Sequence, residues 1–190
     1  MHKHYIIHKP YGYLSQFRSG ERLAHKKKYL GDLYDVPEGT MAIGRLDEPS
    51  EGLLLLTTNG LVSEQIRSNK VEKEYHVQVD GRITQKAIDE LKTGVTISVN
   101  KQDYKTKIAH VEGIKTPHVL PYRSKRIRDD RHGPTSWVAI TIKEGKFRQV
   151  RKMCAAVGFP VLRLIRVRVG VMSLSQIGRE GILEVENLFS

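Results

Sequence analysis

The chain has 190 residues, 39% of them hydrophobic, which is enough to bury the core of one domain or two small lobes. Its 32 lysines and arginines against 21 acidic residues give a net charge of +11, which favours a polyanionic partner, above all nucleic acid. The single cysteine, Cys154, excludes an internal disulfide and a cysteine-based metal cluster. Because the N-terminal apolar run is too short for a signal peptide and no segment approaches the ~20 apolar residues of a membrane span, we expect a cytoplasmic protein without membrane attachment.

The N-terminal third alternates short apolar runs with polar breaks. Lys9-Pro10 stops the first run, and Asp47-Glu48-Pro49 separates two later ones. Asn59-Gly60 predicts a turn that leads into a helix. The elements predicted here are strands over residues 5–7, 41–46 and 52–57, a loop over 14–40 and a helix over 61–68.

The middle third carries one clear strand and one clear helix. Residues 73–80 alternate so that Lys73 and Tyr75 fall on the same face as two valines, which turns Tyr75 inward. Thr84 is a typical N-cap for a helix that ends at Gly94. Further strands are predicted over residues 95–99 and 106–111, and residues 116–135 are predicted to form a proline-containing basic loop.

The C-terminal third again mixes strand and helix. A strand with Val138, Ile140 and Ile142 on one face precedes "KFRQVRKMCAAVG", which has helical spacing. That spacing predicts an apolar face formed by Phe147, Val150, Cys154 and Val157, with Arg148 and Lys152 opposite and Arg151 at the border. Gly158 ends the helix, and "VLRLIRVRVG" predicts a strand. Because no regular βαβ repeat is present, the fold class is predicted to be α+β.

The stretch "GRLDEPSEG" over residues 44–52 admits two interpretations. The first is a strand-ending turn in which Asp47 bonds the local backbone and pairs with Arg45 on the surface. The second follows from the apolar segments on both sides, which place Asp47 at the end of buried strands. A carboxylate there needs cationic or hydrogen-bonding partners, and Arg45 and Arg151 are the candidates.

The basic segments also admit two interpretations, a solvated surface or contact with phosphates. One segment lies in the loop and the other on the last long strand; their basic residues are Arg123, Lys125, Arg126, Arg128 and Arg131, and Arg163, Arg166 and Arg168.

Several other chemistries are excluded by the motifs. Ser50 lies in "EPSEG", which is not a G-x-S-x-G nucleophile elbow. The sequence has no P-loop, no dinucleotide-binding G-x-G-x-x-G and no zinc-spaced ligand set. Cys154 is interpreted as a core residue, and His2, His4 and His8 as solvated or packing residues.

Ordered motifs over nearly the whole chain resemble one family. "YIIHKPYGYLSQF", "AIGRLDEPSEGLLLLTTNG", "KEYHVQV" and "GPTSWVAITIKEGKFRQVRKMCAAVGFPVLRLIRVRVG" are similar to the RsuA/RluB/RluE/RluF-type rRNA pseudouridine synthases. The resemblance is strongest to the RluE type, which lacks the S4 RNA-binding domain and modifies 23S rRNA. His8, Pro49 and "TTNG" depart from the usual pattern outside the residues of the proposed chemistry.

The resemblance implies a pseudouridine-synthase fold: a largely antiparallel central sheet with flanking helices, and two α+β lobes, residues 1–60 with 140–190 and 61–139, with the cleft between them. It implies that Asp47 is the catalytic aspartate beside Arg45 and that Arg151 pairs with it. Tyr75 would stack on the target uracil and is a candidate base for the final proton removal, and Leu164 would wall the pocket. The predicted RNA-binding residues are Lys73, Arg123, Arg126, Arg148, Lys152 and Arg166.

The implied reaction converts a uridine of rRNA, expected to be 23S rRNA or an assembling large subunit, to pseudouridine. It needs no cofactor and no metal, and the enzyme is expected to be a monomer. The first step, attack by Asp47 on the sugar or base or deprotonation at C2′, is left open. Two rival hypotheses are a non-catalytic RNA-binding or ribosome-assembly protein on the same scaffold and a metal-dependent hydrolase that uses Asp47.

Overall fold

The computed structural model describes residues 2–17, 27–68 and 70–189, and within these ranges the chain forms thirteen strands and three α-helices. The strands are β1 His4–Lys9, β2 Tyr13–Leu14, β3 Lys28–Tyr29, β4 Met41–Ile43, β5 Glu51–Thr57, β6 Lys73–Asp80, β7 Thr96–Val99, β8 Gln102–Lys105, β9 His110–Ile114, β10 Thr135–Ile142, β11 Val161–Val169, β12 Met172–Ser173 and β13 Ile182–Val185. The helices are α1 Gly60–Arg67, α2 Gln85–Thr93 and α3 Gln149–Ala156. No helix of these described ranges is long and apolar enough to cross a membrane.

One nine-stranded sheet runs through the molecule in the order β13-β1-β5-β11-β6-β10-β9, with β4 paired to β5 and β12 to β11. The β5–β11 pair is parallel, and the other pairs of this sheet are antiparallel. The predicted α+β class with a largely antiparallel sheet is therefore confirmed. The division into two lobes stays a prediction.

Strand β5 explains the run of four leucines after Gly52. Leu53 and Leu55 point into one apolar cluster, which contains Ile6, whereas Leu54 and Leu56 point into another, which contains Ile7. A strand covered on both faces has no polar side, so its sequence is continuously apolar rather than alternating. This burial fixes the strand that follows the Asp47 segment.

A third apolar cluster lies where β6 and β10 meet the helices α2 and α3. Val77 and Ile140 contribute from the strands, Leu91 from α2, and Met153 and Cys154 from α3. Burial raises the pKa of the Cys154 thiol to about 12, so the thiolate required of a nucleophile is disfavoured. The interpretation of Cys154 as a core residue is confirmed.

The local predictions were correct where capping or alternation was strong. The Thr84 hydroxyl accepts from the Ala87 N–H at 3.2 Å and begins α2, as predicted. The strand predicted over residues 106–111 is wrong, because β8 ends at Lys105 and β9 begins at His110. Thr106 instead accepts from the Val95 N–H at 2.9 Å, so this polar β-branched residue closes a turn rather than extending a strand.

The predictions for residues 14–40 and for the start of the last helix also need correction. The segment was predicted to be a loop, but Leu14 lies in β2, which pairs in parallel with β3 inside that segment, and residues 18–26 of the prediction lie outside the described residues. Phe147 was predicted on the apolar face of the helix, but α3 begins only at Gln149 and Phe147 is 68% exposed. The apolar spacing therefore begins before the helix itself, and it gave a helix start that is too early.

Gly52 is required where β5 meets β11. Its φ is +107°, and a Cβ added there would collide with the backbone carbonyl oxygen of Arg166. Gly39 has a similar φ of +82°, but nothing lies within 4 Å of a Cβ placed there. A side chain at either position would strain the backbone, but only at Gly52 would it also collide with a neighbouring strand.

We expect Gly52→Ala to lower the free energy of unfolding by about 2 kcal/mol more than Gly39→Ala, because only the first change adds overpacking to the shared φ penalty. Urea denaturation of both variants measures the difference. Equal losses in the two variants would show that the β5–β11 approach tolerates a side chain.

Candidate active site

Asp47 lies in the connection between β4 and β5, and the N-terminal segment fixes the backbone around it. The Ser15 hydroxyl donates to the Leu46 carbonyl and accepts from the Leu46 N–H, both at 2.9 Å. The Gly12 N–H donates to the Glu48 carbonyl at 2.8 Å, and the Ser50 N–H donates to the Asp47 carbonyl at 2.9 Å. The turn interpretation of this stretch is therefore correct for its backbone.

Lys9 also holds the backbone around Asp47 in place. Its Nζ donates to the carbonyl oxygens of Pro10 at 3.0 Å, Tyr13 at 2.6 Å and Glu48 at 3.4 Å. Burial lowers the pKa of Lys9 to about 8, an effect that the negative charges of Glu51 and Asp47 partly oppose. A buried ammonium bonded to three carbonyls joins β1, β2 and the Asp47 connection.

Two arginines from the α3 region approach the Asp47 carboxylate. Arg148 Nη1 lies 3.4 Å and Arg151 Nε 3.7 Å from the same oxygen, Oδ2. The second distance is an ion-pair contact rather than a hydrogen bond. Arg151 Nη2 also donates to the Pro49 carbonyl at 3.2 Å and to Ser50 Oγ at 2.9 Å, so one guanidinium holds both the carboxylate and its turn.

The electrostatics of Arg151 follow from its position. Burial lowers the pKa of Arg151, and the neighbouring positive charge of Arg148 lowers it further, whereas Asp47 acts in the opposite direction. Only 13% of the Arg151 side chain is exposed, against 39% for Arg148. Arg151 is therefore the inner partner of Asp47 and Arg148 the outer one.

The connection between β10 and α3 places Arg148. Buried Glu144 accepts from the Lys107 N–H at 3.0 Å, from Gln149 Nε2 at 2.7 Å and from the Tyr104 hydroxyl. Burial acts to raise the pKa of Glu144, but these hydrogen bonds hold it below its usual value. The helix consequently begins at Gln149, and Arg148 before it adopts the left-handed conformation with φ 53° and ψ 33°.

A cavity of about 350 Å³ opens above Asp47. Tyr75 of β6 and buried Leu164 of β11 line it together with both α3-region arginines. Arg45 also lines the cavity but is exposed, and within the described residues it forms no ion pair with Asp47. The four residues predicted for catalysis and the predicted pocket residue all line this cavity, and their roles stay predictions; they are Arg45, Asp47, Tyr75, Arg151 and Leu164.

Three of the predicted RNA-binding residues have little exposed side-chain surface, and the protein binds their charged ends. Lys73 is buried, and its Nζ donates to the Lys143 carbonyl at 2.8 Å. Arg166 is buried and donates to the Leu53 carbonyl at 2.8 Å, and Arg123 pairs with buried Glu51. Arg126 and Arg148 are exposed, whereas Lys152 is partly buried and its Nζ donates to the Ser98 carbonyl at 2.6 Å.

Sequence reasoning missed two features of this region. One is the contact of Arg148 with Asp47, which the assumed helix start placed on the opposite side. The other is Glu51, whose fully buried carboxylate accepts from Arg163 at 2.8 and 3.1 Å and from Arg123 of the basic loop. The only signal for the second was an acidic residue at the start of an apolar strand. Across the described ranges, no three His, Cys, Asp or Glu side chains form a metal-binding group.

The arrangement has the elements of a carboxylate-based site for a planar ring. The cavity has the volume of a small-molecule site, one ionisable carboxylate near its floor, two guanidiniums to balance the charge and an aromatic side chain on its wall. The fold and the cleft together define the class of enzymes that includes a solved pseudouridylate synthase, which superposes with a TM-score of 0.74 over 97% of this chain and 70% of that chain at 25% identity. A chain of a Cbf5-Nop10-Gar1 complex, at 17% identity and a TM-score of 0.54, shares the fold over 89% of this chain and 50% of its own length.

The sequence relatives place the chain within that class. The profile described as RNA pseudouridylate synthase matches residues 3–156, and the chain belongs to this family. It is therefore a pseudouridine synthase, an isomerase. A protein named ribosomal large subunit pseudouridine synthase E from Vibrio vulnificus is 41% identical over 90% of this chain and 70% of its own length. The protein of the same name from Xanthomonas campestris pv. campestris is 37% identical over 90% and 89%.

The left-handed backbone at Arg148 gives a test of its role. A non-glycine residue in this conformation costs roughly 1 kcal/mol, which persists where the surrounding structure or function requires it. We expect Arg148→Gly to be more stable to urea than Arg148→Ala by about 1 kcal/mol, because both variants lose the contact with Asp47 and only glycine relieves the backbone.

Isomerase activity is expected to fall in both Arg148 variants alike, on the order of 10- to 100-fold. Activity is measured as tritium release from uridine-labelled rRNA. Retention of wild-type activity in the more stable glycine variant would show that the guanidinium has no part in the reaction.

Proposed function

We propose that this protein isomerises one uridine of large-subunit rRNA to pseudouridine, with Asp47 as the catalytic carboxylate. The observation that carries the proposal is the position of Asp47 beneath a cavity of about 350 Å³, with Arg148 and Arg151 at 3.4 and 3.7 Å and Tyr75 on the cavity wall. The proposal that the substrate is large-subunit rRNA rests on the names of the relatives from Vibrio and Xanthomonas, which share about two fifths of the sequence.

The residue types suit the chemistry. Pseudouridine forms when the N-glycosidic bond breaks, the uracil rotates and its C5 joins C1′, and the C5 hydrogen leaves as a proton. An anionic carboxylate next to the sugar and base acts either as a nucleophile or as the base at C2′. Arg151, buried against Asp47, balances that charge without solvent, and Tyr75 offers a ring face against which the uracil stacks.

The target uridine must leave its stack to reach Asp47. Unstacking costs roughly a few kcal/mol, which is offset by stacking on Tyr75, by contact with Leu164 and by phosphate contacts on a chain with a net charge of +11. Arg126 and Arg148, both exposed, are the predicted RNA-binding residues best placed for phosphates. Action as a monomer in the cytoplasm stays a prediction.

We expect Asp47→Asn to reduce tritium release from rRNA labelled at uracil C5 by at least about 1,000-fold, because the amide can act neither as nucleophile nor as base. Asp103→Asn, a substitution at an exposed carboxylate of β8, is the matched control and should retain activity. RNA affinity should change less than about threefold in either variant.

Full activity of Asp47→Asn would contradict the proposed role of the carboxylate. Comparison of pseudouridine maps of ribosomes from cells with and without the gene identifies the target. A missing pseudouridine in small-subunit rRNA, with large-subunit rRNA unchanged, would refute the proposed substrate while leaving the isomerase activity intact.

A further inference from the structure

Phe147 is an exposed aromatic residue beside the candidate active site. It is 68% exposed, whereas the residues on either side of it, Lys146 and Arg148, both line the cavity above Asp47. Arg148 also contacts Asp47 directly. Phe147 itself is not among the lining residues, so its ring lies beside the cavity, next to the rim formed by Lys146 and Arg148.

One lysine lies near this ring, and two further basic residues adjoin Phe147 in the chain. Lys152 Nζ lies 5.3 Å from the centroid of the Phe147 ring and is held there by its hydrogen bond to the Ser98 carbonyl at 2.6 Å. Lys146 Nζ lies 4.9 Å from the centroid of Tyr104. The rim formed by Lys146 and Arg148 therefore has an exposed ring next to it, with the Lys152 ammonium near that ring.

The backbone that presents Phe147 is fixed. The Lys146 N–H donates to Gln149 Oε1 at 3.1 Å, and Gln149 is in turn bonded to buried Glu144. Arg148 holds the left-handed conformation between Phe147 and α3. The well-supported turn therefore keeps the ring exposed in a fixed position, where a base can stack on it.

We propose that Phe147 is a stacking platform for an RNA base that flanks the target uridine. The inference rests on the proposed function and extends it to the substrate strand outside the catalytic pocket. Single-stranded nucleic acid is the partner that fits, because its bases stack on an aromatic face while its phosphates meet neighbouring cations, and this rim offers both. When the target uridine is flipped, the adjacent base loses a stacking neighbour, and the Phe147 ring replaces it.

Photo-crosslinking tests the contact directly. Large-subunit rRNA transcribed with 5-iodouridine in place of part of its uridine is bound to the wild-type protein and irradiated, and the cross-linked peptides are identified by mass spectrometry. We expect cross-links at Phe147 as well as at Tyr75. Cross-links at Tyr75 with none at Phe147, in this RNA and in parallel transcripts that carry photoreactive analogues of the other three bases, would overturn the platform and leave the proposed function standing. The cross-links are detected whether or not the RNA is modified.

Kinetics provide the second test. Because stacking on an aromatic side chain is worth roughly 1–3 kcal/mol per base, Phe147→Ala should raise KM for the rRNA about tenfold, with kcat changed less than about threefold. Phe147→Trp should restore KM, whereas Phe147→Leu should not, because leucine is apolar without a π face. Phe189→Ala, a change at an exposed phenylalanine outside the cavity lining, is the control and should behave as wild type.

The two proposals fail separately. An unchanged KM in Phe147→Ala, measured on rRNA that the wild type modifies, overturns the platform alone. Absence of tritium release by the wild-type protein from any rRNA refutes the proposed function, and the cross-link at Phe147 then decides the platform by itself. Phe147 is exposed, so its substitution is expected to leave the thermal unfolding midpoint within about 2 °C of wild type.

Discussion

The site depends on one constraint, the juxtaposition of Asp47 with Arg151. The two residues come from different parts of the chain, and each is held by separate supports. Ser15, Gly12 and Lys9 fix the backbone on the Asp47 side, whereas the core packing of α3 fixes the arginine. Arg151 also bonds the turn carbonyl of Pro49, so a displacement of the helix would disturb the turn and the carboxylate together. The nine-stranded sheet carries both supports.

A second charged group, the buried carboxylate of Glu51, links the basic loop to β5, the strand that follows Asp47. Glu51 has no exposed side-chain surface, and burial of a lone carboxylate would cost several kcal/mol. Arg163 and Arg123 satisfy it, and Arg163 also donates to the Pro121 carbonyl at 2.7 Å. Because Arg123 lies 3.9 Å from the ring centroid of Tyr11, the basic loop is tied to the N-terminal segment that supports Asp47. The basic loop was predicted from composition alone to be solvated or to bind phosphate, but its Arg123 instead bonds to buried Glu51 and packs on Tyr11.

Features set by local patterns, such as strand alternation and apolar runs, were predicted from the sequence. Features set by contacts between residues far apart in the chain were not. The alternation in β6 placed Tyr75 on the inner face, and the leucine run identified β5 as a buried strand. The "RLD" and "RQVR" motifs predicted that Asp47 and Arg151 pair, and Arg151 Nε lies 3.7 Å from Asp47 Oδ2. The helix boundary failed because Phe147 kept the apolar period of α3, whereas the actual start is set by Glu144, which binds Gln149 and the Lys107 N–H from far along the chain. Charge alone likewise did not separate Arg166, buried in the sheet, from exposed Arg126.

The positive charges around the cavity have two effects: they balance the Asp47 carboxylate and they attract a polyanionic strand. Seven lysines and arginines line it against the two carboxylates of Asp47 and Glu144, a local excess of five positive charges. Arg151 is paired with Asp47, whereas buried Arg166 donates through Nε to the Leu53 carbonyl, so the carboxylates of the cavity do not neutralise this excess. A polyanionic strand is attracted to this excess of positive charge, so the arrangement that balances the Asp47 carboxylate also favours entry of RNA. Substrate affinity and the electrostatics of Asp47, the proposed catalytic carboxylate, are thereby linked, and substitution of Arg148 or Arg151 is expected to alter both.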